Sequence, residues 1–226
     1  MDREERDLVV LHLVFGVIAA GVLLAPGGLA QGWRIAGLLV GYHLATVVVV
    51  QWRGYPRWRS MWWFAAVCSV FQVVPDAVLA EGLGTLVFPD DGFPNLGPVT
   101  GTMAMMWTVP LVLIIAVADA FERRRGAAAG WVAAVVAAGV VFVGAEALLP
   151  PLGLWEPVGV TTWGGWLAPY VLPPELLLGA AAWAGVQITR ERHPLLVVPV
   201  AAVVSLLYTG ALAASWLLLE QGLLAG

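Results

Sequence analysis

The sequence has no lysine, a single cysteine and little charge: only 12% of its 226 residues are Asp, Glu or Arg. Without lysine there is no amine nucleophile, so Schiff-base chemistry, and with it a retinal protein, is excluded. Cys68 has no intramolecular partner, which removes a disulfide frame and any inference about redox compartment. There is no HExxH or HxxxH pair, no phosphate-binding glycine loop and no serine triad, so neither a metal nor another cofactor is expected. The shortage of charge decides the broad class. A soluble domain carries about 25% charged and 45–50% apolar residues, whereas 61% of this chain is hydrophobic and its mean hydropathy is +0.88. The sequence predicts an integral membrane protein and gives no sign of nucleic-acid binding.

A membrane-crossing helix needs about 20 mostly apolar residues. Seven such runs are present, at roughly 8–25, 34–52, 60–82, 98–120, 128–148, 169–188 and 195–220. They take up most of residues 1–226, so the expected fold is a single all-α domain, a bundle of seven transmembrane helices. The first run resembles a signal peptide in length, but Met1–Asp7 carries four acids against two arginines, whereas a secretory leader begins with a positive region. It is therefore expected to be a retained helix. With seven crossings, ten of the eleven arginines fall at one end of the bundle and only Arg34 at the other. Cytoplasmic loops carry the positive excess. The split predicts a multi-pass protein with a cytoplasmic amino terminus and an outside carboxyl terminus, and an acidic outer face with arginine as the only basic side chain suggests a prokaryotic cell membrane.

Polar residues inside apolar runs mark the candidate site. Asp76 lies deep in the third run, next to Pro75. An intramembrane carboxylate costs several kcal/mol unless it is neutral, paired or hydrated, so such acids are functional candidates by default. Pro75 also frees a carbonyl one turn earlier, near Phe71, and opens space for a ligand, a water or a partner helix. Asp76 has a second reading, in which it bonds the broken backbone or pairs with Arg34. Glu81, five residues on, is turned about 140° away on a straight helix, and is either a solvated helix end or a partner of Arg34. Glu146 closes the fifth run one turn before Pro150-Pro151. Glu175 follows Pro173-Pro174 at the start of the sixth, where the positive helix end favours an acid. Asp76, Glu146 and Glu175 belong to three helices yet share one depth. They are the candidate catalytic residues.

His12 and His43 lie within the first two runs without ligand spacing, so hydrogen bonds across helices are expected of both. Trp33, Trp52, Trp58, Trp62, Trp63, Trp155, Trp163 and Trp166 fall near predicted boundaries, where indoles are favoured. Trp107 is inside the fourth run, with Met103 and Met106 before it and Pro110 after it. It is either ordinary packing or a π face able to stabilise a cation by about 0.5–2 kcal/mol. Trp107, Met103, Met106, His43, Glu81 and Arg34 make up the candidate binding set. The turn-rich loop 88–98 is expected to fold back on the bundle, and the stretch 150–170 to lie in the interface or cover a cavity. Small-residue pairs such as Gly16 and Ala20, or Gly130 and Ala134, permit helix contacts within one chain or in a homo- or hetero-oligomer.

Acid chemistry on an apolar lipid fits this inventory. A carboxylic acid in hydrocarbon surroundings can donate a proton to an alkene, and π faces with a second carboxylate can stabilise the carbocation, the chemistry of a cyclase, isomerase or hydratase. The run Leu172-Pro173-Pro174-Glu175 resembles the Pro-x-Glu-Glu signature of the membrane-embedded heterodimeric-type lycopene cyclases of carotenoid synthesis, with Leu176 in place of the second glutamate. The resemblance implies a modifier of isoprenoids or carotenoids in which Glu175 is an acid. A non-catalytic lipid or pigment binder, an accessory subunit and a small proton-coupled transporter are the alternatives. No internal repeat supports the last.

Overall fold

A reciprocal cap begins the chain. The Asp2 carboxylate accepts from the Glu5 amide at 2.9 Å, and Glu5 accepts from the Asp2 amide at 3.1 Å, so α1 (Arg3–Leu24) starts before its apolar run. The computed structural model describes residues 1–223. It continues through α2 (Gln31–Arg53), α3 (Pro56–Phe71), α4 (Val73–Ala77), α5 (Met103–Met106), α6 (Thr108–Arg125), α7 (Ala127–Leu148), α8 (Leu172–Thr189) and α9 (Val197–Leu218). α3 and α4, with a π turn at Val78–Gly82, make one broken crossing, and α5 and α6 make another. Among the described residues, seven helical segments are thus long and apolar enough to cross a membrane, as expected.

Two prolines explain the breaks. Pro75 has no amide proton, so the Phe71 carbonyl loses its helical donor. The Ser205 hydroxyl of α9 donates to that carbonyl at 2.8 Å, and a partner helix thus fills the gap that the proline opens. Pro110 follows the matching break at Trp107. The two interruptions lie beside one another, joined by a bond from Trp107 to Asp76.

α3, α6, α8 and α9 form the core, and α7 packs across α6 and α8. Small residues allow the close approaches. A Cβ on Gly179 would strike Ala138 of α7, and one on Gly185 would strike the Phe64 ring of α3. Gly130 packs against Glu122 of α6, so the Gly130–Ala134 pair serves a contact within the chain, whereas Gly16 faces open space. α1 is the most peripheral helix, and with α2 it forms a hairpin at the edge.

Both histidines tie neighbouring helices together. His12 Nδ1 donates to Leu8 O at 2.9 Å, which leaves Nε2 to accept from the Tyr42 hydroxyl at 3.0 Å. Trp62 Nε1 donates to His43 Nδ1 at 3.1 Å. Trp58 departs from the boundary role expected of it: its indole is wholly buried, beside Tyr55.

The arginine-rich end is held by acids of the first turns. Glu4 accepts from Arg57 at 2.9 Å and from the Trp58 amide at 2.7 Å, while Glu5 bonds Arg123 and Arg124. Asp119, from α6, is the buried centre. Its carboxylate meets Arg190 at 2.6 Å, Arg123 at 2.8 Å and Arg57 at 3.8 Å. Asp2 reaches Arg57 at 2.6 Å and Arg123 at 3.0 Å. Desolvation raises the Asp2 carboxyl, but the Glu5 amide and the two guanidiniums outweigh it and hold it at about 2. A carboxyl depressed on folding adds stability above its ordinary value near 3.9 and loses it as pH falls below that value. Thermal unfolding in detergent should therefore show wild type losing more stability than Asp2→Asn between about pH 4 and pH 2. Equal losses would remove Asp2 from the clasp.

Candidate functional site

At the opposite end, the loops close over the broken helices. β1 (Leu86–Val87) pairs antiparallel with β4 (Glu156–Pro157), joining the two long loops through Leu86↔Pro157 and Val87↔Glu156. Thr161 N donates to Glu220 at 3.0 Å, which fastens the second loop to the end of the last helix. In the first loop, β2 (Asn95–Leu96) and β3 (Val99–Thr100) form a hairpin. Asp91 accepts from the Phe93 amide at 2.9 Å and the Thr100 hydroxyl at 2.8 Å, and Phe93 meets Trp33 edge-on at 4.9 Å. Loop 88–98 folds back as expected, and the stretch 150–170 covers a cavity.

That cavity has about 80 Å³ of free space. Its walls include Asp76 from α4, Glu146 from α7 and Glu175 from α8, so the three acids expected at one depth share one chamber. Trp107, Met103 and Met106 line it too, with Phe88 and Trp155 from the covering loops. Trp155 therefore lies inside the fold, 9% exposed, where an interfacial indole was expected.

Each acid has its own setting. Trp107 Nε1 donates to Asp76 Oδ2 at 3.0 Å across the two helix breaks, so Pro75 and Pro110 position an acceptor and its donor. Asp76 is 3% exposed and makes no bond to Arg34. Glu175 is 4% exposed although it stands in the first turn of α8, where a solvated acid would suffice to satisfy the helix end. Its Oε2 is buried and has no hydrogen-bonding partner among the described residues. Buried polar atoms are normally paired. An unpartnered carboxyl oxygen in a cavity wall is therefore a feature to be explained by what the cavity takes.

The aromatic wall extends beyond what the sequence suggested. Trp107 stands 5.7 Å from Phe142 and 5.9 Å from Tyr208, centroid to centroid, and both of these rings line the cavity. The Tyr170 hydroxyl donates to Thr85 at 2.8 Å, and Ser215 donates to the Tyr170 carbonyl at 2.6 Å, bracing the roof. Phe142, Tyr170 and Tyr208 gave no local signal, because an aromatic in an apolar run looks like core until the tertiary fold aims it at a space.

Three residues of the expected binding set lie outside the lining. His43 is engaged with Trp62 of α3. Glu81 is exposed in the π turn beyond Asp76. Arg34 pairs with neither Asp76 nor Glu81; it donates to Ala25 O at 2.7 Å, Leu29 O at 2.9 Å and Val22 O at 3.3 Å. These carbonyls lie at and just beyond the end of α1, where helical donors run out, and a guanidinium on the next helix satisfies them.

Fold and site thus define a seven-helix bundle of membrane-protein composition with an acid-lined, aromatic-walled cavity at one end. The chain belongs to the family described as Domain of unknown function (DUF6989), whose profile matches residues 73–219. Every residue lining the cavity falls within that stretch, while α1, α2 and α3 precede it. No curated protein and no solved structure matches the chain.

Proposed function

We propose that the protein is a membrane-embedded enzyme that protonates an alkene of an isoprenoid-like lipid. The observation that carries this reading is the meeting of three carboxyls from separate helices in one apolar chamber, one of them with an unpartnered oxygen. Glu175 is the proton donor. Its proton adds to one alkene carbon and leaves a cation on the other, stabilised by the faces of Trp107, Phe142 and Tyr208. Asp76, held by the Trp107 indole, or Glu146 then takes a proton from a neighbouring carbon and a new double bond forms. The net reaction is a double-bond isomerisation, or a cyclisation where a second alkene of the same chain attacks the cation to form the ring bond before that proton leaves, and no oxidant or co-reactant is consumed.

The size of the chamber narrows the substrate. Pockets that enclose a drug-sized ligand run to about 300–1,000 Å³, and this one has about 80 Å³. It takes the end of a prenyl chain while the remainder stays in the bilayer. The resemblance of Leu172–Glu175 to the lycopene cyclases supports the same reading, since Glu175 is the residue carried over. By the positive-inside bias, the arginine-rich end lies in the cytoplasm of a prokaryotic cell and the cavity faces outward.

Mass spectrometry of organic extracts from lycopene-accumulating cells tests this. Cells with wild-type protein should contain a product of unchanged mass and altered retention that cells with Asp76→Asn lack. A lipid that co-purifies unchanged with both proteins would favour a non-catalytic binder.

A further inference from the structure

A second group of unused polar atoms lies at the arginine-rich end, in a groove of about 730 Å³ between α2, α3, α8 and the start of α9. Four arginines line it: Arg57, Arg59, Arg190 and Arg192. Among the described residues, no aspartate or glutamate does. Arg57 and Arg190 are engaged by Asp2, Glu4 and Asp119. Arg59 and Arg192 make no ion pair among the described residues, unlike most arginines at this end. Arg190 Nε is buried without a partner, although Nη2 of the same guanidinium donates to Asp119. The groove therefore gathers uncompensated positive charge and unfilled donors at the depth where a bilayer has its headgroups.

The remaining walls are apolar. Val47 and Val50 of α2 and Val197 of α9 line the groove with Trp62 and Trp63, indoles of the kind that settle at the membrane interface. We propose that this groove binds an anionic phospholipid, with its phosphate on Arg59, Arg192 and the free Nε of Arg190 and an acyl chain along the valines. Charge complementarity selects the anionic headgroup, because basic pockets between helices at the cytoplasmic surface offer forked donors that match phosphate oxygens. The apolar walls select a lipid over a free anion. Arg190 couples the site to the bundle, since its guanidinium also holds Asp119 and lies 5.6 Å from the Trp183 ring centroid.

Native mass spectrometry of the detergent-purified protein tests this with dioleoylphosphatidylglycerol, dioleoylphosphatidylcholine and inorganic phosphate as probes. Wild type should retain one phosphatidylglycerol per chain in preference to phosphatidylcholine. Two contact arginines contribute about fivefold each, so Arg59→Gln/Arg192→Gln should bind about twenty-five-fold more weakly. Both side chains are exposed, so the substitutions leave the helices intact, and helical content by circular dichroism checks that. Arg3→Gln/Arg125→Gln removes two arginines outside the groove and should bind like wild type. Equal retention of both lipids, equal weakening in the two double variants, or displacement of the lipid by millimolar inorganic phosphate would each overturn the site.

Discussion

Replacing Glu175 by glutamine should lower product formation about 10²–10⁴-fold, the range for losing a positioned general acid. The side chain keeps its shape and burial, so the bundle should persist with unchanged helical content. What disappears is the proton. Glutamine presents an amide to a chamber whose remaining acids are differently engaged: Asp76 accepts from Trp107, and Glu146 comes from another wall. The measurement is the rate of product formation in membranes from cells expressing each variant at matched levels. Activity within threefold of wild type would remove Glu175 as donor. Glu81→Gln is the internal comparison, because Glu81 is exposed and outside the chamber. It should behave as wild type.

Asp119→Ala should be strongly destabilising. The Asp119 side chain is 2% exposed and meets guanidiniums from α3, α6 and α8. Removing one partner of a buried ion network costs about 3–5 kcal/mol, because the other charges are left without compensation. The arginines are 24–32% exposed, and water relieves part of the loss. The expectation is the lower end, about 3 kcal/mol, or roughly 6–12 °C in Tm for a chain of this length. Thermal unfolding in detergent reads this, and a shift below about 2 °C would show that Arg57 and Arg123 are adequately served by Asp2, Glu4 and Glu5 and that water suffices for Arg190.

Seven crossings were legible because hydrophobic runs of membrane length carry the same information in sequence and structure. Asp76, Glu146 and Glu175 were legible for a related reason: a carboxylate in such a run contradicts its surroundings. The partner of Asp76 was not. The 3.0 Å bond from Trp107 to Asp76 depends on two proline breaks in different helices falling side by side, which no local pattern encodes. Arg34 shows the opposite error. Charge alone assigned it to an acid, whereas the ends of helices leave carbonyls that compete for the same donors, and α1 lies within reach. Asp119 drew no attention because it ends an apolar run beside arginines, where it reads as an ordinary helix terminus. Its importance comes from α3 and α8 delivering Arg57 and Arg190 to the same point.

The most direct test of the acid-catalysis account is deuterium incorporation. Membranes containing wild-type protein, supplied with lycopene in heavy water, should yield a product one mass unit heavier per modified end, because the added proton comes from an exchangeable carboxyl and the departing one from carbon. Glu175→Gln should yield neither product nor label. A product formed by wild type without deuterium, or recovery of unlabelled and unchanged lipid from every preparation, would contradict protonation by this cavity.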